Sequence, residues 1–235
     1  MNKVELIRLF PTLIYDEALK PTEQVRQGMI DFVDKFYEKH KEERVGSANI
    51  TGDVTGDYQI SKEPAFQWLN KEIARHCKLY LKEFGVNSKY LKLFSSKSWP
   101  VVCGHTIDTS NAKFAVESHN HPNSHLSIVF YLQTERDQGG ELELHAPSTH
   151  PLWFVPLAPH CDELPYPSLT EVSYAPAPNH VVIFPSSLTH CVRPYFGSTK
   201  RYSITYDLLI TGRQDINMDN EMCIVHPNNW VDMDE

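Results

Sequence analysis

The 235-residue sequence predicts a mainly β (α+β) protein, a β-sandwich or jelly roll preceded by supporting helices. Three observations lead there. Apolar residues recur at helical spacing only in the first third of the chain. From residue 91 onward, short apolar or alternating runs are cut repeatedly by Pro, Gly, Asn and Asp. No helical period separates those runs, which argues against a βαβ organisation.

The elements follow in order. Residues 9–15 read as a short opening strand. Pro21-Thr22 start a helix reaching about residue 43, with Val25, Met29, Phe32, Val33 and Phe36 at helical spacing. A polar, Gly-bearing loop covers 46–58. A second helix spans 63–84, carrying Phe66, Leu69, Ile73, Cys77 and Leu81 on one face, with Gly85 after its end. Strands are expected at 91–95, 99–107, 113–119, 126–133, 140–145, 151–155, 170–175, 180–184, 190–194 and 201–210. Six prolines make 156–178 a long loop. The expectation is one domain over 1–235: helical support in 1–90, a β core in 91–210 and an acidic C-terminal arm in 211–235.

The bulk composition excludes several functions. Thirty acidic against 22 basic residues give a net charge of −8, and no Lys/Arg stripe runs against it, so no nucleic-acid partner is expected. The five cysteines (Cys77, Cys103, Cys161, Cys191, Cys223) are odd in number and form no C-x-x-C pair, which fits a reduced, cytoplasmic compartment. The first residues do not read as a secretory signal, and no stretch approaches a membrane-spanning apolar run, so no membrane partner is expected.

The chemistry sits in the histidines. His119 and His121 stand two positions apart at a strand end, where residues i and i+2 share a face and can converge on one ion. His190 follows an apolar strand and a turn, at the start of the next strand. Three imidazoles on one side of an ion suit Fe, Zn, Cu or Ni and leave positions open. Eleven residues on, Arg201 leads an alternating strand in which Ser203 shares its face; a guanidinium there can hold a carboxylate through two parallel bonds, with the hydroxyl adding a third. Tyr131 is either a further donor or a core residue. His125 and Asn123 read as turn residues, Trp99 as core, Cys191 as packing on the strand face opposite His190, and His145 as surface or structural.

Ser98-Trp99, His119-Asn120-His121-Pro122-Asn123-Ser124, the strand 126–132, Gly139-Gly140-Glu141-Leu142, the run from Phe184 to His190, and Arg201-Tyr202-Ser203 together resemble the 2-oxoglutarate/Fe(II) oxygenases, in particular those of marine bacteria and phages with an H-x-H…H metal motif. The resemblance covers about 95–210, with a weaker echo at Phe10-Pro11-Thr12. It implies a double-stranded β-helix (a cupin-like jelly roll) and a hydroxylase-type dioxygenase. In it, His119, His121 and His190 hold Fe(II), Arg201 and Ser203 anchor 2-oxoglutarate, Tyr131 assists, and O2 is reduced with release of succinate and CO2.

His121 stands where the wider superfamily has an acid, so the site is one negative charge short. Asp137, Glu141 or Glu143 could supply an acidic ligand; three histidines are the preferred reading. The alternatives are a cupin-like three-His enzyme without 2-oxoglutarate and a non-catalytic β-sandwich binding module. The substrate, a small molecule or a peptide, is not legible, and a homodimer is admissible.

Overall fold

The structure, a computed structural model, describes residues 12–40, 57–103, 116–146, 171–215 and 224–234. Two antiparallel sheets face each other, as in the double-stranded β-helix, without closing into a barrel. The larger has the order β1 (Tyr15–Ala18), β7 (His180–Pro185), β4 (Leu126–Gln133), β9 (Arg201–Gly212), β2 (Leu91–Cys103). The smaller has the order β3 (Val116–His119), β8 (His190–Val192), β5 (Leu142–His145), β6 (Glu171–Tyr174). Among the described residues, no helix is long and apolar enough to cross a membrane.

Two helices, α1 (Glu23–His40) and α2 (Gln67–Glu83), cover the outer face of the larger sheet. Met29 and Val33 of α1 and Leu69, Ile73 and Cys77 of α2 pack with Ile128, Phe130, Val181, Ile183 and Ile204. Each such side chain contributes roughly 1.5–3 kcal/mol on burial. The opposite face meets the smaller sheet around Tyr131, Leu142, Leu144, Val182, Phe184 and Leu188. Both faces of β9 are therefore covered, and it alternates with period two: Tyr202, Ile204, Tyr206 and Leu208 join the helix-side core, while Arg201, Ser203, Thr205 and Asp207 line a cavity between the sheets. Tyr206 Oη donates to Asn70 on α2 at 2.9 Å, and Tyr202 Oη donates to Asp34 on α1 at 2.5 Å, so the helices brace β9 from behind.

Several expectations are corrected. The opening strand lies at Tyr15–Ala18, where it pairs with β7 and extends the larger sheet, so the first third is more than helical support. The second helix starts at Gln67; Ile60–Lys62 and Pro64–Phe66 form tight 3₁₀ turns instead, with Pro64 at a first-turn position where its missing N–H costs nothing. The expected strands 91–95 and 99–107 are one strand through Cys103, continuous across a bulge between Ser95 and Lys97. The helix continuation beyond residue 40, most of the loop 46–58, the strand 151–155 and most of the loop 156–178 lie outside the described residues.

Candidate metal centre

His119 closes β3, His190 opens β8, and the two residues face each other across that antiparallel pair. His121 opens the following turn rather than continuing the strand. Its amide donates to Ser186 O at 2.9 Å, which turns the imidazole back toward the other two. The ring centroids lie 5.0 Å (119–121), 4.3 Å (119–190) and 5.2 Å (121–190) apart. One nitrogen from each ring lies within 4.8 Å of the others.

The orientation of each ring is fixed from behind. Nδ1 of His119 lies 2.7 Å from Glu117 O, and Nδ1 of His190 lies 2.9 Å from Leu188 O. Nδ1 of His121 lies 2.7 and 2.8 Å from the two carboxylate oxygens of Asp207. A carbonyl or carboxylate oxygen only accepts, so each Nδ1 carries a proton, and a lone pair for a ligand can come only from Nε2. Burial holds His119 below the ordinary histidine range, and burial first, with the neighbouring rings, holds His190 down to about 4. Both are in the neutral form that metal ligation needs.

Asp207 was not anticipated. It is buried on β9, where Ser127 Oγ donates to its Oδ1 at 3.1 Å; the Ser127 and Ser186 hydroxyls lie 3.0 Å apart, and Ser124 Oγ lies 2.9 Å from Ser186 Oγ. The signal was in the sequence: Arg201, Ser203, Thr205 and Asp207 recur at every second position of an otherwise apolar strand. Glu143, one of the acids considered as a ligand, points away from the triad to the other side of β5 and pairs with Arg193. Asp137 and Glu141 do not line the cavity.

The triad opens into a cavity of about 540 Å³ between the sheets. Arg201, Ser203 and Tyr131 all line it. Arg201 is among the largest fully buried side chains, and no carboxylate pairs with it among the described residues; its Nη1 contacts only Cys103 Sγ at 3.6 Å. The guanidinium lies 5.2 Å from the Tyr131 ring centroid, and among the described residues neither Arg201 Nε nor Tyr131 Oη, both buried, has a hydrogen-bond partner. Burial pushes the Tyr131 hydroxyl up, against an opposing pull from Arg201, so it stays a neutral donor. A buried cation and a buried donor left unpaired in one cavity call for an anionic ligand.

Gly140 makes room for Arg201. Its φ of +75° suits glycine, and a Cβ there would sit 3.2 Å from Arg201 Nε. Trp99, read as core, is nearly buried but also lines the cavity and stacks on His121 at 5.8 Å, with an interplanar angle of 19°. His125 accepts the Ile210 amide at 2.9 Å through its own Nδ1, a structural role. Cys191 does face away from His190, but it is half-exposed and contacts Glu143 and His145 rather than apolar packing.

The family described as "Putative 2OG-Fe(II) oxygenase" matches residues 97–207, just under half of the chain and a segment that includes the triad, Arg201 and Asp207. Among solved structures, AviO1 from Streptomyces viridochromogenes Tue57 superposes with a TM-score of 0.54 at 12% identity, over 88% of this chain and 92% of that one. SnoK, a non-haem α-ketoglutarate-dependent carbocyclase from nogalamycin biosynthesis, gives 0.52 at 15% identity, over 86% and 82%. For an oxidoreductase of the 2OG-Fe(II) oxygenase family from Burkholderia pseudomallei the values are 0.43 and 17%, and the match spans 64% of this chain and 59% of that one. At such identities the likeness is one of fold. No curated protein matches the chain.

Proposed function

From the match of residues 97–207 to the family described as "Putative 2OG-Fe(II) oxygenase", we propose that the protein is a non-haem Fe(II)- and 2-oxoglutarate-dependent oxygenase of the hydroxylase type, in which His119, His121 and His190 hold the metal. The observation that carries this reading is the pairing, in one cavity, of three outward-anchored imidazoles with a buried guanidinium that has no acid of its own.

The residues fit the group. Three Nε2 lone pairs face a common point, and each Nδ1–H is held by an oxygen behind it, the arrangement that orients imidazole ligands and raises their basicity. When bound, Fe(II) with 2-oxoglutarate and O2 supplies an oxidant able to attack an unactivated C–H bond, with succinate and CO2 released. Asp207 restores through His121 the negative charge that this site lacks beside a His-x-acid triad, one bond further out. Arg201 and Ser203, on one face of β9, hold the distal carboxylate of 2-oxoglutarate, and the Tyr131 hydroxyl donates to the same molecule. Val129, Leu142, Val192 and Trp99 give the cavity apolar stretches of wall beside its polar lining.

A cupin-like enzyme without 2-oxoglutarate has no use for a buried, unpaired Arg201. The test needs no substrate: anaerobic addition of Fe(II) and 2-oxoglutarate produces a visible metal-to-ligand charge-transfer band. A colourless mixture at saturating concentrations overturns the assignment. Fe(II)- and O2-dependent release of succinate then serves to screen small molecules and peptides as substrate.

A further inference from the structure

The outer face of the smaller sheet carries a second set of metal-binding groups. On β5, Leu142 and Leu144 point into the core, so Glu143 and His145 share the opposite face. On β8, His190 points inward and Cys191 outward, and the register sets Cys191 directly opposite Glu143. We propose that Glu143, His145 and Cys191 form a second divalent-cation site, suited to a thiophilic ion such as Zn(II), which clamps β5 to β8 directly behind His190.

The distances support one ion. Cys191 Sγ lies 3.5 Å from Glu143 Oε1 and 3.7 Å from His145 Nε2, and His145 Nε2 lies 3.5 Å from Glu143 Oε1. Tetrahedral Zn(II), with bonds of about 2.3 Å to sulfur, about 2.0–2.1 Å to nitrogen and about 2.0 Å to oxygen, requires ligand–ligand edges of about 3.3–3.6 Å. Two edges of the triangle fall in that range, and the third, Sγ to Nε2 at 3.7 Å, is about 0.1 Å longer. Sulfur, imidazole and carboxylate are also the set that zinc selects from its competitors.

The surroundings complete the case. Arg193 pairs with Glu143 Oε2, which leaves Oε1 turned toward the other two donors, and its Nη2 lies 3.6 Å from Glu171 Oε1. Thiolate and carboxylate together neutralise a divalent charge, and Glu171 offsets Arg193. Glu143 is buried, whereas the His145 side chain is 31% exposed, so solvent reaches the group from the His145 side. This site is independent of the function proposed above.

Co(II) titration of the metal-free, full-length protein tests it. Thiolate-bound, tetrahedral Co(II) gives a sulfur-to-metal charge-transfer band in the near ultraviolet that a site of imidazoles and water lacks. The wild type is expected to bind about two Co(II) per chain, one of them with that band. His119→Ala/His190→Ala keeps the band; Cys191→Ser loses it and retains about one Co(II); His145→Gln weakens it. Absence of the band in both the wild type and the double variant overturns the proposal, as does its persistence in Cys191→Ser. Loss of metal binding at the triad shows separately, as Cys191→Ser binding no Co(II).

Discussion

Nδ1 of His121 lies 2.7 Å from one carboxylate oxygen of Asp207 and 2.8 Å from the other, across 86 positions of sequence. The pair ties the turn after β3 to the middle of the larger sheet and fixes which nitrogen of His121 faces the cavity. Asp207→Asn keeps an oxygen to accept the Nδ1 proton but removes the charge. It is expected to lower Fe(II) or Ni(II) affinity about 10–100-fold, read by calorimetric titration. Unchanged affinity would mean that Asp207 plays no part in ligation.

His190→Ala removes the most buried of the three imidazoles. Iron binding is expected to be lost while the far-ultraviolet circular dichroism stays that of the parent. Undiminished iron content after anaerobic loading would take His190 out of the site.

With Arg201 holding a 2-oxoglutarate carboxylate as proposed, Arg201→Ala would remove a charge-assisted bond worth roughly 1.5–3 kcal/mol. The 2-oxoglutarate concentration at half-saturation should rise about 10-fold or more, with Fe(II) affinity unchanged. Equal co-substrate affinity in the variant and the parent would refute the anchoring role.

Gly140→Ala is a test of backbone geometry. At φ +75° a side chain costs on the order of 1–3 kcal/mol, and the new Cβ crowds the Arg201 guanidinium at 3.2 Å. Both the unfolding midpoint and 2-oxoglutarate affinity are expected to fall. A variant as stable as the parent would show that the turn relaxes freely.

His76 gives a pH signature. Burial first, and then Arg75, hold it below its usual 6.5. Arg75 donates to its Nε2 at 2.5 Å and Tyr15 Oη lies 2.7 Å from its Nδ1, which describes a neutral ring. The folded pKa is therefore the lower one. Nothing is lost above pH 6.5; as pH falls below it, the unfolded chain takes up a proton that the folded chain refuses, and stability declines. His76→Gln should flatten that decline in urea midpoints measured between about pH 7.5 and about pH 5.5. An unaltered slope would assign the effect to other groups.

The H-x-H pair and the shared face of Arg201 and Ser203 were legible because each rests on a short-range rule, whereas His190 meets His119 through the β3–β8 register. His119 and His121 are near neighbours in sequence, and Arg201 and Ser203 share a strand face. Asp207 was missed because its partner is set by the β4–β9 register and a turn 86 positions away, neither of which a local pattern encodes. The same limit hid the contact of Cys191 with Glu143 and His145, which depends on how β8 aligns against β5. Strand positions were mostly anticipated, since turn residues punctuate them. The break expected between 95 and 99 failed because a bulge absorbs the irregularity without ending β2.

Strand β9 has polar residues on one side and apolar residues on the other, both enclosed. Sliding it by a single residue against β4 would push Tyr202, Ile204, Tyr206 and Leu208 into the site and bury Arg201 and Asp207 beneath the helices. Any slip by an odd number of residues exchanges the two sides of β9 completely, so the cavity would be walled by tyrosine and aliphatic side chains instead of Arg201, Ser203, Thr205 and Asp207.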